Sequence, residues 1–221
     1  MNVHLHTEVS IAVPEVILPG ELSIPEQCDG LIIFSHGSGS SRLSPRNQQV
    51  AGHLHTKGFG TLLFDLLTES EDQQYQNRFN INLLTERLIG ATRWLKTLPF
   101  AKNVPIGYFG ASTGVASALQ AASRLPEIAA VVCRGGRPDL ALSEDLSRVT
   151  APTLLIVGSL DYDVLQLNQL AFLELHCEKK LEVVYGATHL FEEPGKMDIV
   201  SGLAQGWFEK HLQRVTVNGW P

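Results

Sequence analysis

Apolar and polar positions alternate along Glu8-Val-Ser-Ile-Ala-Val13 and again along Gly20-Glu-Leu-Ser-Ile24, just past Pro19. A period of two marks strands with one wet face, and two such pieces in succession predict an antiparallel hairpin. From Leu31 onward the apolar runs become nearly continuous, near residues 31–35, 60–65, 104–109, 129–133, 153–157 and 181–185. Strands of that kind are covered on both faces, as in a parallel sheet. Helical spacing lies between and after them. Ile81, Leu84, Leu88, Ala91 and Leu95 recur every three to four residues, and so do Met197, Val200, Ala204, Trp207 and His211. Gln48–Lys57 and Val115–Leu125 also read as helices, and the chain ends in a polar tail. The pattern predicts an α/β protein, one domain over residues 1–221, with an eight-stranded, mostly parallel sheet and helices on both faces.

Chemistry enters at Gly110-Ala111-Ser112-Thr113-Gly114, which follows the apolar run Val104–Phe109 and precedes a helix. A Gly-x-Ser-x-Gly turn between strand and helix is a nucleophile elbow, a strained bend that lifts a serine hydroxyl above the carboxyl end of a sheet. A side chain at Gly110 or Gly114 would strike the segments that converge on the bend. The pattern alone is unspecific, since an ordinary βα loop uses the same residues.

A serine hydroxyl is a weak nucleophile at neutral pH and needs a histidine to take its proton and a carboxylate to orient that histidine. Asp161 follows the strand Thr153–Val157, and His189 follows the strand Leu181–Tyr185. Each therefore sits just past a strand end, where parallel sheets carry their chemistry. The order Ser112, Asp161, His189 is that of α/β-hydrolases. The strand Leu31–Phe34 runs into Ser35-His36-Gly37-Ser38-Gly39, and a His-Gly loop at that place supplies one donor for an oxyanion while the residue after the nucleophile supplies the other. The N–H groups of Ser38 and Thr113 are assigned to that hole. His36 itself reads as a structural histidine bonded to its loop.

Four segments together carry a resemblance: Ser35-His-Gly-Ser-Gly-Ser40, Gly110-Ala-Ser-Thr-Gly114, Gly158-Ser-Leu-Asp-Tyr-Asp-Val164 and His189-Leu-Phe-Glu-Glu-Pro-Gly195. Over nearly its whole length the chain resembles the dienelactone-hydrolase-like branch of the α/β-hydrolases. Arg134-Gly-Gly-Arg-Pro-Asp-Leu140 is similar to hydrolase domains that some proteins fuse to a phosphoribosyltransferase, a fusion not expected within these residues. The resemblance implies the full eight-stranded hydrolase sheet. It departs at the nucleophile, which is Cys in dienelactone hydrolase proper and Ser112 here, so activity on dienelactones does not carry over with it.

Composition narrows the picture only slightly. The 221 residues carry a formal net charge of −6, the opposite of a nucleic-acid footprint. Cys28, Cys133 and Cys177 have no CxxC spacing, which suggests a reducing compartment and no zinc site, and Cys133 reads as a core residue. The start has no basic segment followed by an apolar one, and no apolar run reaches bilayer length. A cytoplasmic protein with a small-molecule substrate, no nucleic-acid or membrane partner and no cofactor is expected, its oligomeric state left open. Only Gly135–Ala151 separates the sixth strand from the seventh, too few residues for a lid, so an open, small pocket is expected.

Other polar residues divide between structural and functional readings. His4 and His6 share a strand face and could bind a metal, but no third ligand is in view; His53 and His55 read as surface residues. Asp163 reads as the N-cap of the helix that begins at Val164. Glu192 and Glu193 read as shaping the turn into the last helix. Arg134 and Arg137 follow the sixth strand, Arg42 and Arg46 follow the oxyanion loop, and up to four guanidinium groups could ring the pocket. Ion pairs with Asp65, Asp139 or Glu69 are the competing account. Arg134 and Arg137 are retained as substrate-binding candidates. The expected activity is that of a serine hydrolase on a small carboxylic ester, thioester or lactone, neutral or anionic. An acyltransferase or perhydrolase using the same triad, and a binding module without catalysis, are the alternatives.

Overall fold

The computed structural model describes residues 3–212, and the polar tail from residue 213 lies outside the described residues. Strands β1 (Val3–Val13) and β2 (Val16–Pro25) form the antiparallel hairpin, with Val13 opposite Val16 across the two-residue turn Pro14-Glu15. Both run longer than the alternating segments. Ladder hydrogen bonds extend past the last buried side chain, and a pattern of apolar positions does not register them. The remaining strands are β3 (Gly30–Ser35), β4 (Phe59–Phe64), β5 (Ile106–Ala111), β6 (Ile128–Arg134), β7 (Thr153–Gly158) and β8 (Lys179–Val184). They complete an eight-stranded sheet in the order β1-β2-β4-β3-β5-β6-β7-β8, parallel from β4 to β8.

Side chains alternate between two cores. Ile33, Tyr108, Val131, Cys133 and Leu155 face helices α3 (Ile81–Thr97) and α4 (Gly114–Arg124). Phe34, Phe109, Val132, Leu154 and Ile156 face α1 (Pro45–His55) and α7 (Lys196–His211). Burial on both faces accounts for the unbroken apolar runs of β3, β4, β5 and β7, all six residues of each being buried. The chain lays β4 on one side of β3 and β5 on the other, so the winding reverses between β3 and β5. Ligands of open α/β sheets bind in the crevice at such a reversal, outside the carboxyl ends of the strands.

Between β4 and α3 lie a four-residue helix, α2 (Glu69–Asp72), and a 3₁₀ turn, Tyr75–Phe79. The β6–β7 connection holds a one-turn 3₁₀ segment, Pro138–Leu140, and α5 (Ser143–Arg148), with no inserted cap. His53 and His55 are not surface residues as expected. His53 bonds Gln205 of α7 at 2.7 Å, and His55 bonds Thr61 of β4 at 2.7 Å, because α1 packs on β4 and against α7, which covers the same sheet face over β6 to β8. No helix among the described residues is long and apolar enough to cross a membrane.

Candidate active site

Ser112 follows directly on β5 and has φ +51°, a left-handed conformation costing a non-glycine residue about 1–2 kcal/mol. Hydrogen bonds hold it there. Its N–H donates to the carbonyl of Arg134 at 3.1 Å, and its own carbonyl accepts from Val115 N–H at 3.1 Å and Arg137 N–H at 3.0 Å. Both flanking glycines are sterically required. A Cβ on Gly114 would lie 2.1 Å from the carbonyl oxygen of Ser35, and one on Gly110 would lie 2.8 Å from Cα of Val115.

Two strands away, Asp161 follows β7 at the N-cap position of α6 (Tyr162–Glu174), but its carboxylate does not cap that helix. It accepts a 2.6 Å hydrogen bond from Nδ1 of His189 instead. Asp163 is therefore not the N-cap, contrary to the sequence expectation. The helix begins two residues earlier than its apolar pattern, at exposed Tyr162, and Asp163 sits inside the first turn. With Nδ1–H directed at Asp161, the lone pair of His189 resides on Nε2, as a general base requires. A Cβ on Gly135 would lie 3.6 Å from Cε1 of His189, so the imidazole stands beside the end of β6, the segment whose Arg134 carbonyl holds the amide of Ser112. No hydrogen bond joins Ser112 Oγ to His189 among the described residues, a contact that commonly tightens only with substrate bound.

The β3 loop closes on the nucleophile from the other side. A Cβ on Gly37 would lie 2.9 Å from Cβ of Ser112. Thr113 is the N-cap residue of α4, the positive end of that helix dipole. The Ser38 N–H, assigned from sequence to an oxyanion hole, is not free: it donates to Thr113 Oγ1 at 2.7 Å. The two residues assigned to that hole thus bond each other. Beneath the loop a small indentation, open to solvent, is lined by His36, Ser38, Leu66, Leu84 and the Arg78–Asp72 ion pair. Arg78 escaped the sequence reading, since it lies in a short 3₁₀ turn without periodic signal.

No family model matches the chain. A dienelactone hydrolase from Anabaena variabilis, known from its crystal structure, is 48% identical, superposes with a TM-score of 0.92, and is covered over 99% of its length by 95% of this chain. This chain belongs to the dienelactone hydrolase family. It is accordingly a hydrolase of the α/β type. A Mycobacterium tuberculosis (strain H37Rv) protein with the provisional name phosphoribosyl transferase is 52% identical over 206 residues, or 93% of this chain. The chain spans 46% of that relative, about half its length. Est1E from Butyrivibrio proteoclasticus, at 16% identity and a TM-score of 0.79 over 92% of this chain and 98% of its own, shares the fold.

The other candidates sort by their partners in this family member. His36 is structural. Its Nε2 accepts from Leu66 N–H at 3.1 Å and its Nδ1–H donates to the Gly37 carbonyl at 3.0 Å, tying the β3 loop to the β4 loop. Burial lowers its pKa below the usual 6.5. The unfolded chain therefore binds a proton that the folded protein refuses. Stability from this group is full above pH 6.5 and falls as pH drops below it. The melting midpoint is expected to decline on acidification through that range, and His36→Gln should flatten the slope; an unchanged slope assigns the decline to other groups.

Arg42 pairs with Asp65 at 2.6 Å and Arg46 with Glu192 at 2.6 Å. Arg137 departs from its expected role. Its guanidinium fork is taken by Asp139 through bonds of 2.8 and 2.7 Å at the surface, a pairing two residues apart that the chain makes with itself. Among the described residues Arg134 has no carboxylate partner. Glu193 accepts from Thr188 N–H and Oγ1 and so shapes the turn as expected, whereas Glu192 accepts from Arg46 of α1. His6 bonds Ser23 and pairs with Glu21, and the side chain of His4 lies outside the described ones. Among the described residues no three His, Cys, Asp or Glu groups are arranged to hold a metal.

Proposed function

We propose that the protein is a serine hydrolase that cleaves a small carboxylic ester, thioester or lactone through an acyl-enzyme. The observation that carries the reading is the Asp161–His189 hydrogen bond at 2.6 Å, beside a serine held at φ +51° over a sheet reversal. Ser112 Oγ attacks the carbonyl carbon while His189 Nε2 takes its proton. The imidazolium, stabilised by Asp161, returns that proton to the leaving oxygen or sulfur. Water then attacks the acyl group on Ser112 with His189 again as base, and the acid product leaves. No cap is inserted between β6 and β7 and the His189 side chain is 38% exposed, which suits a short acyl group and ready access for water. Hydrolysis of a panel of short p-nitrophenyl esters, together with fluorophosphonate labelling, tests the reading; a folded protein inert in both assays overturns it.

In this mechanism the oxyanion receives the N–H groups of Thr113 and Ser38, and the second must first leave Thr113 Oγ1. The hydroxyl occupies the hole until the substrate oxygen replaces it. Thr113→Val keeps the side-chain shape and removes that competing acceptor. The free enzyme then holds an unsatisfied N–H at a cost of about 1–3 kcal/mol, and the bound oxyanion restores it. The variant is expected to melt several degrees lower and to show kcat/KM raised several-fold. A hundred-fold loss of kcat at an unchanged melting midpoint assigns the hydroxyl itself to catalysis.

A further inference from the structure

Two strands bound the sheet at its sides, and only one of them is guarded. β1 carries a register shift between Val3 and Leu5, and its Glu8 stands opposite Glu21 of β2. β8 pairs with β7 in an unbroken parallel register. The carbonyls of Glu178 and Val184 accept from Thr153 N–H and Ser159 N–H, so the even-numbered residues of β8 turn their backbone groups toward β7. Lys179, Leu181 and Val183 turn theirs outward, and among the described residues no strand lies beyond them.

An open edge invites pairing with another chain, and proteins usually answer it with a free charge, a bulge or a proline. The charges of β8 do not serve in that way. Lys179 folds its ammonium back onto the carbonyls of Phe172 and Leu175, at the C-terminal end of α6, and over the ring of Phe172. Lys180 pairs with Glu182 of the same strand at 2.5 Å. Leu181 packs on the core from the α6 side, and Val183, on that same side of the strand, is 45% exposed. Tyr185, directly after the strand, is 87% exposed.

We propose that β8 is the contact through which two copies of this chain associate, antiparallel about a two-fold axis at Leu181, joining their sheets edge to edge. The strand is complementary to itself in that register. Leu181 meets Leu181 of the second copy and Lys179 meets Val183, as hydrogen-bonded pairs, because these residues carry the free backbone groups. Lys180 then meets Glu182 of the second copy as a non-hydrogen-bonded pair, Cα atoms about 4.5 Å apart, where cross-strand side chains lie closest. The two-fold axis makes that pair twice. Moving the axis by one residue sets Lys180 against Lys180 or Glu182 against Glu182, and moving it by two leaves Glu182 facing no lysine.

Sedimentation equilibrium of the full chain at micromolar concentration tests the contact, and the wild type should show twice the protomer mass. Lys180→Glu and Glu182→Lys each set like charges against one another at both pairings, and each should raise the dimer dissociation constant by roughly ten-fold or more. An equimolar mixture of the two variants restores both opposite-charge pairs and should associate as tightly as the wild type. A change in the stability of either protomer cannot produce that rescue. Leu181→Pro removes an N–H that β7 does not use, so the protomer should stay folded while the dissociation constant rises by roughly a hundred-fold. Should that variant not fold, the charge variants and their mixture decide alone. A wild type that sediments as a monomer overturns the proposal, whether or not another segment of its own chain protects the β8 amides from exchange. So does a dimer indifferent to all three variants, since its contact then lies elsewhere. None of these measurements depends on esterase activity.

Discussion

Ser112→Ala is expected to remove ester hydrolysis and fluorophosphonate labelling together, lowering kcat by roughly a million-fold, the scale of losing a triad nucleophile in a comparable protease. The effect should be confined to chemistry. Alanine meets the same backbone strain at φ +51° as serine does, and no hydrogen bond of the Ser112 hydroxyl is lost among the described residues. The melting midpoint should therefore stay within a few degrees of the wild type. Labelling that persists in the variant places the nucleophile on another side chain.

Asp161→Asn should lower kcat by roughly ten-thousand-fold. An amide can turn its NH₂ toward Nδ1, which favours the tautomer with its proton on Nε2, and that nitrogen can no longer accept from Ser112. Fold stability is not expected to suffer, since Asn serves as well as Asp at a helix N-cap and the present carboxylate does not cap α6 at all. Asp163→Asn is the control. It removes a charge from the first turn of α6, worth about 0.3–1 kcal/mol through the helix dipole, and should leave turnover within a few-fold. The opposite ranking of the two variants reassigns the acid to Asp163.

Much of this arrangement is legible in the chain because backbone demands dictate residue type. Continuous apolar runs disclose β3 to β7 because both sheet faces are covered, and the glycines at 110 and 114 are where atoms of neighbouring segments leave no room for a Cβ. Asp161 and His189 could be placed because both lie just beyond strands of the parallel sheet. What escaped depends on side-chain direction or on distance along the chain. The bond from Ser38 N–H to the Thr113 hydroxyl spans 75 positions and depends on one χ1 angle. The Arg46–Glu192 pair spans 146, so the arginines could be brought to the pocket by topology but not sorted into paired and unpaired. Helix starts misled for a simpler reason. The first turn of α6 is largely solvent-exposed, so apolar periodicity begins late and the cap was set two residues too far on.

The left-handed backbone at position 112 also limits which residues that position can ever hold. Branching at Cβ crowds the backbone at positive φ, so threonine, although it carries a hydroxyl, is barred from this bend. Serine and cysteine differ only at the γ atom and meet the same backbone demand. A lineage of this fold can therefore exchange an oxygen nucleophile for a sulfur one in a single substitution without rebuilding the elbow, while the route through threonine is closed by geometry.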